Sequence, residues 1–352
     1  MLPSPSPLRT LAETAETLII ALAGGTALAL LGFPAALLTG SILAVAAAAL
    51  LRRPVRVPVA LARACYIVVG ILLGAVVTPQ TLKGIASWPA SVAILMVASL
   101  CTIAATMSYL RIAHGWDRLS ALMAASPGSM AQVIALSSEL GADLRAIAIV
   151  QTTRVLLLAA GIPAGLALFG HAAPPLPFAR DAAGPTSLPE IAIVVAVSTA
   201  AAFALWRLRF PGGLLFGAMA GSSALHGTGL VQSVLPWWVG SASVLVLGAV
   251  IGSRFANTSV RLLLGCLGAA FGSFAVSLFV ATAFALLVAH LFAFPIANVA
   301  VAFAPGALDT MMVLALTLHL DPVYVGAHHV ARFIVVTFTV AIAARRIVKK
   351  EK

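Results

Sequence analysis

The polar residues able to do chemistry in this chain gather at two places. Ser126, Ser129 and Gln132 surround Pro127-Gly128, and Asp309 and Thr310 follow Pro305-Gly306. One arginine comes after each group, Arg154 within the apolar run 145–169 and Arg332 within 322–344. An ionised residue at such a depth is costly unless it is paired. Two readings stand for the arginines: each donates to carbonyls exposed where a neighbouring helix breaks, or each binds an anion or replaces a coupling cation. Asp309 lies in the first turn of a half-helix, where its charge complements the positive helix end. The position 178 residues earlier is Ala131, so only one of the two places carries a titratable group. That asymmetry suits a proton or sodium site. This is the chemistry of binding and coupling, and the chain is expected not to be an enzyme and to use no cofactor.

Other candidate groups read as structural. The seven histidines stand mostly at segment ends, and only His319, His328 and His329 are locally grouped. Adjacent helical residues point about 100° apart, so His328-His329 offers no shared two-ligand face, and these are expected to be helix-packing histidines with no metal. Cys65, Cys101 and Cys266 lie in apolar segments without a spacing motif and read as small core residues. Asp143, and Asp321 ahead of Pro322, read as helix N-caps. Glu139 is expected to reach the headgroup region.

The elements that position these residues follow from the punctuation. Proline removes a backbone donor and glycine tolerates unusual dihedrals, so Pro-Gly splits an apolar helix into two half-helices. Lipid cannot satisfy the freed groups, so such breaks persist only within protein or beside a watered cavity. SPGSMAQVIALSSELGADLRAIAIVQTTR (126–154) and APGALDTMMVLALTLHLDPVYVGAHHVAR (304–332) carry the same device in one gap-free register. Phe33-Pro34 to Gly40 likewise reappears as Phe210-Pro211 to Gly217, and Gly70/Gly74 as Gly248/Gly252. The reading is an internal duplication: a first repeat over 1–169, a Pro/Ala-rich linker over 170–189 and a second repeat over 190–352. Paired interrupted segments of this kind mark a transporter's binding site. The GxxxG pairs Gly70/Gly74, Gly217/Gly221, Gly248/Gly252 and Gly268/Gly272 are expected to let helices pack closely.

Composition bounds the class. The chain is 62% hydrophobic and 9% charged, with a mean hydropathy of +1.11, against about 25% charged residues in soluble domains. This is an all-α polytopic membrane protein. The net charge of +11 does not form a water-exposed basic module, so direct DNA binding is excluded. No nucleotide-binding loop is present, so a primary pump would need a partner chain.

Orientation follows from lysine and arginine. Arg52, Arg53, Arg56, Arg63, Arg111 and Arg118 occupy first-half turns whose second-half counterparts have none. Arg207, Arg209, Arg254 and Arg261 sit at turns whose first-half counterparts hold only Lys83. Two copies of opposite topology need an odd number of crossings each. The expectation is five spans plus one broken, re-entrant helix per repeat, with both termini cytoplasmic in a bacterial inner membrane. Among the charged turns and tails this leaves only Lys83 and Arg180 outside.

The PGSMAQVIALSSELGAD…R signature, its echo PGALDTMMVLALTLHLD…R and the duplicated F-P-x-x-L-L-x-G resemble the AbrB-type integral membrane family over nearly the whole chain. Members carry labels as regulators of gene expression or ammonia monooxygenases. The monooxygenase label would need a cluster of metal ligands, which the histidines do not supply. The family is also similar to inverted-repeat secondary transporters, an analogy at fold level.

Two functions are carried forward. The first is a secondary transporter of a small, anionic solute, coupled to H+ or Na+, whose midplane site is Ser126, Pro127, Gly128, Ser129, Gln132, Arg154, Pro305, Gly306, Asp309, Thr310 and Arg332. The second is a membrane sensor or regulatory protein that affects gene expression indirectly. The partners are the lipid bilayer and the solute, no nucleic acid, with homo-oligomerisation left open.

Overall fold

A computed structural model describes residues 7–77, 88–127, 130–168, 170, 187–256, 258 and 260–351. Most of the 170–189 linker, Gly128 and Ser129 lie outside them, as does the side chain of Gln132. The described residues form helices without strands. In chain order these are α1 (Pro7–Leu30), α2 (Ala36–Leu50), α3 (Val59–Ala75), α4 (Trp88–His114), α5 (Arg118–Ala125), α6 (Met130–Leu140) and α7 (Leu144–Leu168). Then come α8 (Leu188–Arg207), α9 (Gly213–Gly227), α10 (Trp237–Gly252), α11 (Val260–Phe292), α12 (Ile296–Phe303), α13 (Leu308–Thr317) and α14 (Pro322–Glu351). The starts of α12, α13 and α14 each fall 178 positions after those of α5, α6 and α7.

Seven of the described helices are long and apolar enough to cross a bilayer: α1, α4, α7, α8, α10 with its short 3-10 extension, α11 and α14. The chain is thus an all-α, multi-pass membrane protein. Three further helices expected to span, α2, α3 and α9, fall short of that length at 15, 17 and 15 residues. At 1.5 Å per residue, a 15-residue helix such as α2 reaches about 22 Å. Most of α2 and about half of α9 are buried against neighbouring helices, and a helix wrapped by protein need not match the thickness of lipid.

The chain divides into two compact units. The first holds α1–α3, α8–α10 and α7 from Ala159 onward. Its helices approach closely at glycines. Added Cβ atoms at Gly74, Gly221 and Gly252 would meet Ser222 and Met219 of α9, Ser198 of α8 and Ile42 of α2 at 2.5–2.8 Å. The expected close packing therefore holds for the pairs 70/74, 217/221 and 248/252. Gly268/Gly272 differ, because they face the Tyr109 and His114 side chains.

The second unit holds α4–α6, the first part of α7, and α11–α14 up to Ala315 and from Val323. Its sequence pattern is turned outward. Along α11 the small residues Ala269, Ser273, Ser277, Ala281 and Ala285 are buried, while Phe271 and Phe279 are exposed, Phe279 by 77%. Large apolar side chains outside and small ones inside suit a lipid surround. Asp117 caps α5, accepting from the Ser120 amide at 2.8 Å. Asp143 caps α7 as expected, its Oδ1 accepting from the amides of Arg145 and Ala146, each at 3.1 Å. Gly141, at φ 80°, ends α6 in the left-handed conformation that closes a helix C-terminus.

The two broken elements fold back on themselves. The Asp143 amide, past the end of α6, donates to Ser120 Oγ at the start of α5 at 3.0 Å. Phe294, ahead of α12, stacks edge-on against Tyr324 in the first turn of α14, ring centroids 5.4 Å apart. α5–α6 and α12–α13 are each a helical hairpin, with Pro127 following α5 and Pro305-Gly306 following α12 where the chain turns. Neither arm of 8–11 residues could cross a bilayer alone.

Candidate functional site

A proline in a helix leaves the carbonyl four residues earlier without its donor. At the first break that carbonyl is Met123, and at the second it is Val301. Gln151 Nε2 donates to Met123 O at 2.9 Å, and His329 Nε2 donates to Val301 O at 3.0 Å. Gln151 and His329 are 178 positions apart, as are Met123 and Val301. Each stands three residues before an arginine, in the long helix that follows its hairpin.

The arginines complete the repair. Arg154 donates to Ala125 O at 3.4 Å and Ser126 O at 3.2 Å, and its Nε–H is buried without a partner among the described residues. Arg332 is held more tightly, to Ala304 O at 2.6 Å and Gly306 O at 3.0 Å, with a further bond to His329 Nδ1 at 2.6 Å. Of the two readings of the arginines, this geometry is that of donors to exposed carbonyls. It also fixes His329: Val301 O can only accept and a guanidinium can only donate, so Nε2 bears the proton and the ring is neutral. The pairing of Gln151 and His329 was not anticipated from sequence. The signal was two polar residues in apolar helices at the same repeat spacing, masked because their side chains differ.

Pro127 and Pro305 line one small cavity together with Phe303, Ser99, Thr102 and Arg332. The cavity is about 10 Å³, room for roughly one water. Ser99 and Thr102 turn their hydroxyls back to Leu95 O and Ala98 O, both at 2.7 Å. A second cavity of about 300 Å³ reaches from Ser126 and Pro127 to Glu139, with Leu136, Val336 and Val340 along its apolar walls. Pro127 borders both.

The remaining expected site residues are placed as follows. Ser126 is buried and donates to Leu122 O. Asp309 is partly exposed in the first turn of α13 and accepts from the Thr310 amide at 2.9 Å. Thr310 is fully buried, its hydroxyl 3.5 Å from the same Asp309 oxygen. Neither borders the cavities that Pro127 lines. Gly128, Ser129 and the Gln132 side chain lie outside the described residues. Among the described residues no group of His, Cys, Asp or Glu could hold a metal ion.

Residues 37–348 match the family model described as Transition state regulatory protein AbrB. The chain is 26% identical over 239 residues to YhjN of Bacillus subtilis (strain 168), covering 62% of this chain and 61% of that protein. It is 24% identical over 315 residues to a protein of Escherichia coli (strain K12) named Putative regulator AbrB, covering 89% and 90%. The match to YhjN thus spans about three fifths of that relative's length.

Proposed function

The chain belongs to the AbrB family, and we propose that it is a secondary transporter of a small solute, its site formed where the two hairpin turns meet. The observation that carries this reading is the cavity bordered by Pro127 and Pro305 together. Interrupted helices meeting at one place, with half-helix N-termini and stripped carbonyls at hand, are the arrangement that transporters use for solutes and ions. The space holds about one water as it stands, so the conformation is a closed one. A solute enters when α5–α6 and α12–α13 move apart, and the larger cavity beside Pro127 is the vestibule. Asp309, beside the second break, binds the coupling H+ or Na+. The terminal nitrogens of both guanidiniums already donate to carbonyls at the breaks, so an anionic group is met by the first-turn amides of α6 and α13.

The proposal includes an internal duplication of inverted topology, ten spans and two re-entrant hairpins. The shared spacing of α5–α7 and α12–α14 supports it, as do the matched bonds of Gln151 with His329 and Arg154 with Arg332. The ends of the two halves support the inversion. Arg53 and Arg56 pair with Glu16 and Glu13 of α1, at 3.4 and 3.5 Å. At the corresponding second-half end, Glu190 accepts from the amides of Gln232 and Ser233, both at 3.0 Å. The basic end belongs in the cytoplasm.

The second reading is a membrane sensor or regulator using the same pocket without flux. It is favoured by the regulatory name of the Escherichia coli relative and of the family. Neither reading includes catalysis.

A thermal-shift screen of the purified protein with organic anions, amines and ions tests the site, since a ligand at 100 times its Kd stabilises by about 2.7 kcal/mol. Ala281 borders the small cavity. The stabilisation by any hit is expected to fall in Ala281→Val. Undiminished stabilisation in this variant would place the ligand elsewhere.

A further inference from the structure

His328 is a buried imidazole that the repair of the breaks does not use. Its Nδ1 lies 2.8 Å from Tyr324 O, and its Nε2 lies 2.8 Å from Ser91 Oγ of α4. The carbonyl can only accept, so Nδ1 bears a proton in every state. Ser91 Oγ also lies 2.9 Å from Trp88 O. That second acceptor gives the hydroxyl two ways to point.

In one, Ser91 donates to Nε2 and the imidazole is neutral. In the other, Ser91 donates to Trp88 O, and its oxygen accepts a hydrogen bond from Nε2–H of an imidazolium. Both states are fully hydrogen-bonded, and a single hydroxyl rotation converts one into the other. Buried polar groups normally have partners in one protonation state only, the other being penalised by an unmade bond. We infer that His328 and Ser91 form a proton-binding site built to accept both charge states.

Among the described residues, its neighbours lie on three helices. On α14 they are Tyr324, the neutral His329, and Arg332 one turn on. From α4 and α12 come Trp88, Ser91 and Phe303, none of them charged. Arg332 is thus the one charge among these neighbours, and it holds the carbonyls of Ala304 and Gly306 at the second break. Like charges four residues apart on a helix repel, so protonation of His328 weakens that hold. The ligand is a proton, and its effect is to loosen the α12–α13 turn. This last step rests on the transport reading; the proton site does not.

Trp88 is a native reporter, its ring centroid 6.5 Å from that of His328, because an imidazolium beside an indole quenches its fluorescence. Emission of the full-length protein in lipid vesicles is followed from about pH 4 to pH 9, bracketing the histidine range. Subtracting the Trp88→Phe signal isolates Trp88. The expected result is a reversible quenching step on acidification, absent in His328→Gln and displaced by roughly one pH unit in Ser91→Ala. Ser91→Ala keeps the imidazole, so it tests the site even where His328→Gln does not fold. A Trp88 signal flat across the range, or a step unchanged in Ser91→Ala or in folded His328→Gln, overturns the proton site. Any of those results leaves the cavity between the breaks untouched, since ligand stabilisation tests that separately.

Discussion

His329 reaches across to Val301 and gives its carbonyl the hydrogen bond that Pro305 cannot, at 3.0 Å. Gln151 does the same for Met123 ahead of Pro127, at 2.9 Å. The hairpin turns are therefore repaired from outside, by the helix that follows each of them. A break stabilised in this way can be released by moving one helix, which a continuous helical hydrogen bond would not allow.

Removing either donor leaves a buried carbonyl unsatisfied, a cost of about 1–3 kcal/mol. His329→Leu and Gln151→Leu are expected to lower the unfolding temperature in detergent or lipid. His329→Gln supplies the donor found at the counterpart position and is expected to recover most of the loss. Equal losses in His329→Leu and His329→Gln would show that the bond to Val301 is not what matters.

The arginines should differ from each other. Arg332 makes shorter bonds than Arg154 and an additional one to His329. Arg332→Leu is expected to reduce folded yield more than Arg154→Leu does. Lysine at either position keeps the charge but loses the planar fork, so it should recover only part of the yield. Quantified yield by size-exclusion chromatography decides this, and leucine variants with full yield and stability would contradict the geometry.

Topology is open to chemical labelling in a cysteine-free background. Gln232 is exposed, whereas the neighbouring Ser233 is 2% exposed and accepts from the Ser187 amide. Gln232→Cys and Ala183→Cys should react with impermeant thiol reagents in intact cells, and Lys349→Cys should not. Reaction at 349 in intact cells would refute the inverted arrangement.

Much of this was legible because punctuation in a membrane chain has few meanings. Pro127 and Pro305 had to be breaks, Asp143 reads as a cap from its position, and Arg154 and Arg332 needed acceptors at their depth. Other features depend on what lies across the helix interface. The orphan carbonyls of Met123 and Val301 follow from the prolines, but only the fold shows that Gln151 and His329 reach them. Ser91 and His328 are 237 positions apart, and no local pattern links them. The lengths of α2 and α9, 15 residues each, depend on where each helix ends and what surrounds it, which hydropathy alone does not report.

Transport as proposed requires solute to move through the space between Pro127 and Pro305 with Asp309 as the coupling residue. The direct measurement is uptake of a ligand found by thermal shift into proteoliposomes, with imposed H+ and Na+ gradients, for the natural chain and Asp309→Asn. That substitution keeps shape and hydrogen bonding but removes the carboxylate. The expected result is gradient-driven accumulation by the natural chain, and a folded Asp309→Asn protein whose uptake no longer responds to the gradient. Binding without flux in the natural chain, or unchanged ion dependence in Asp309→Asn, would contradict coupled transport through this site.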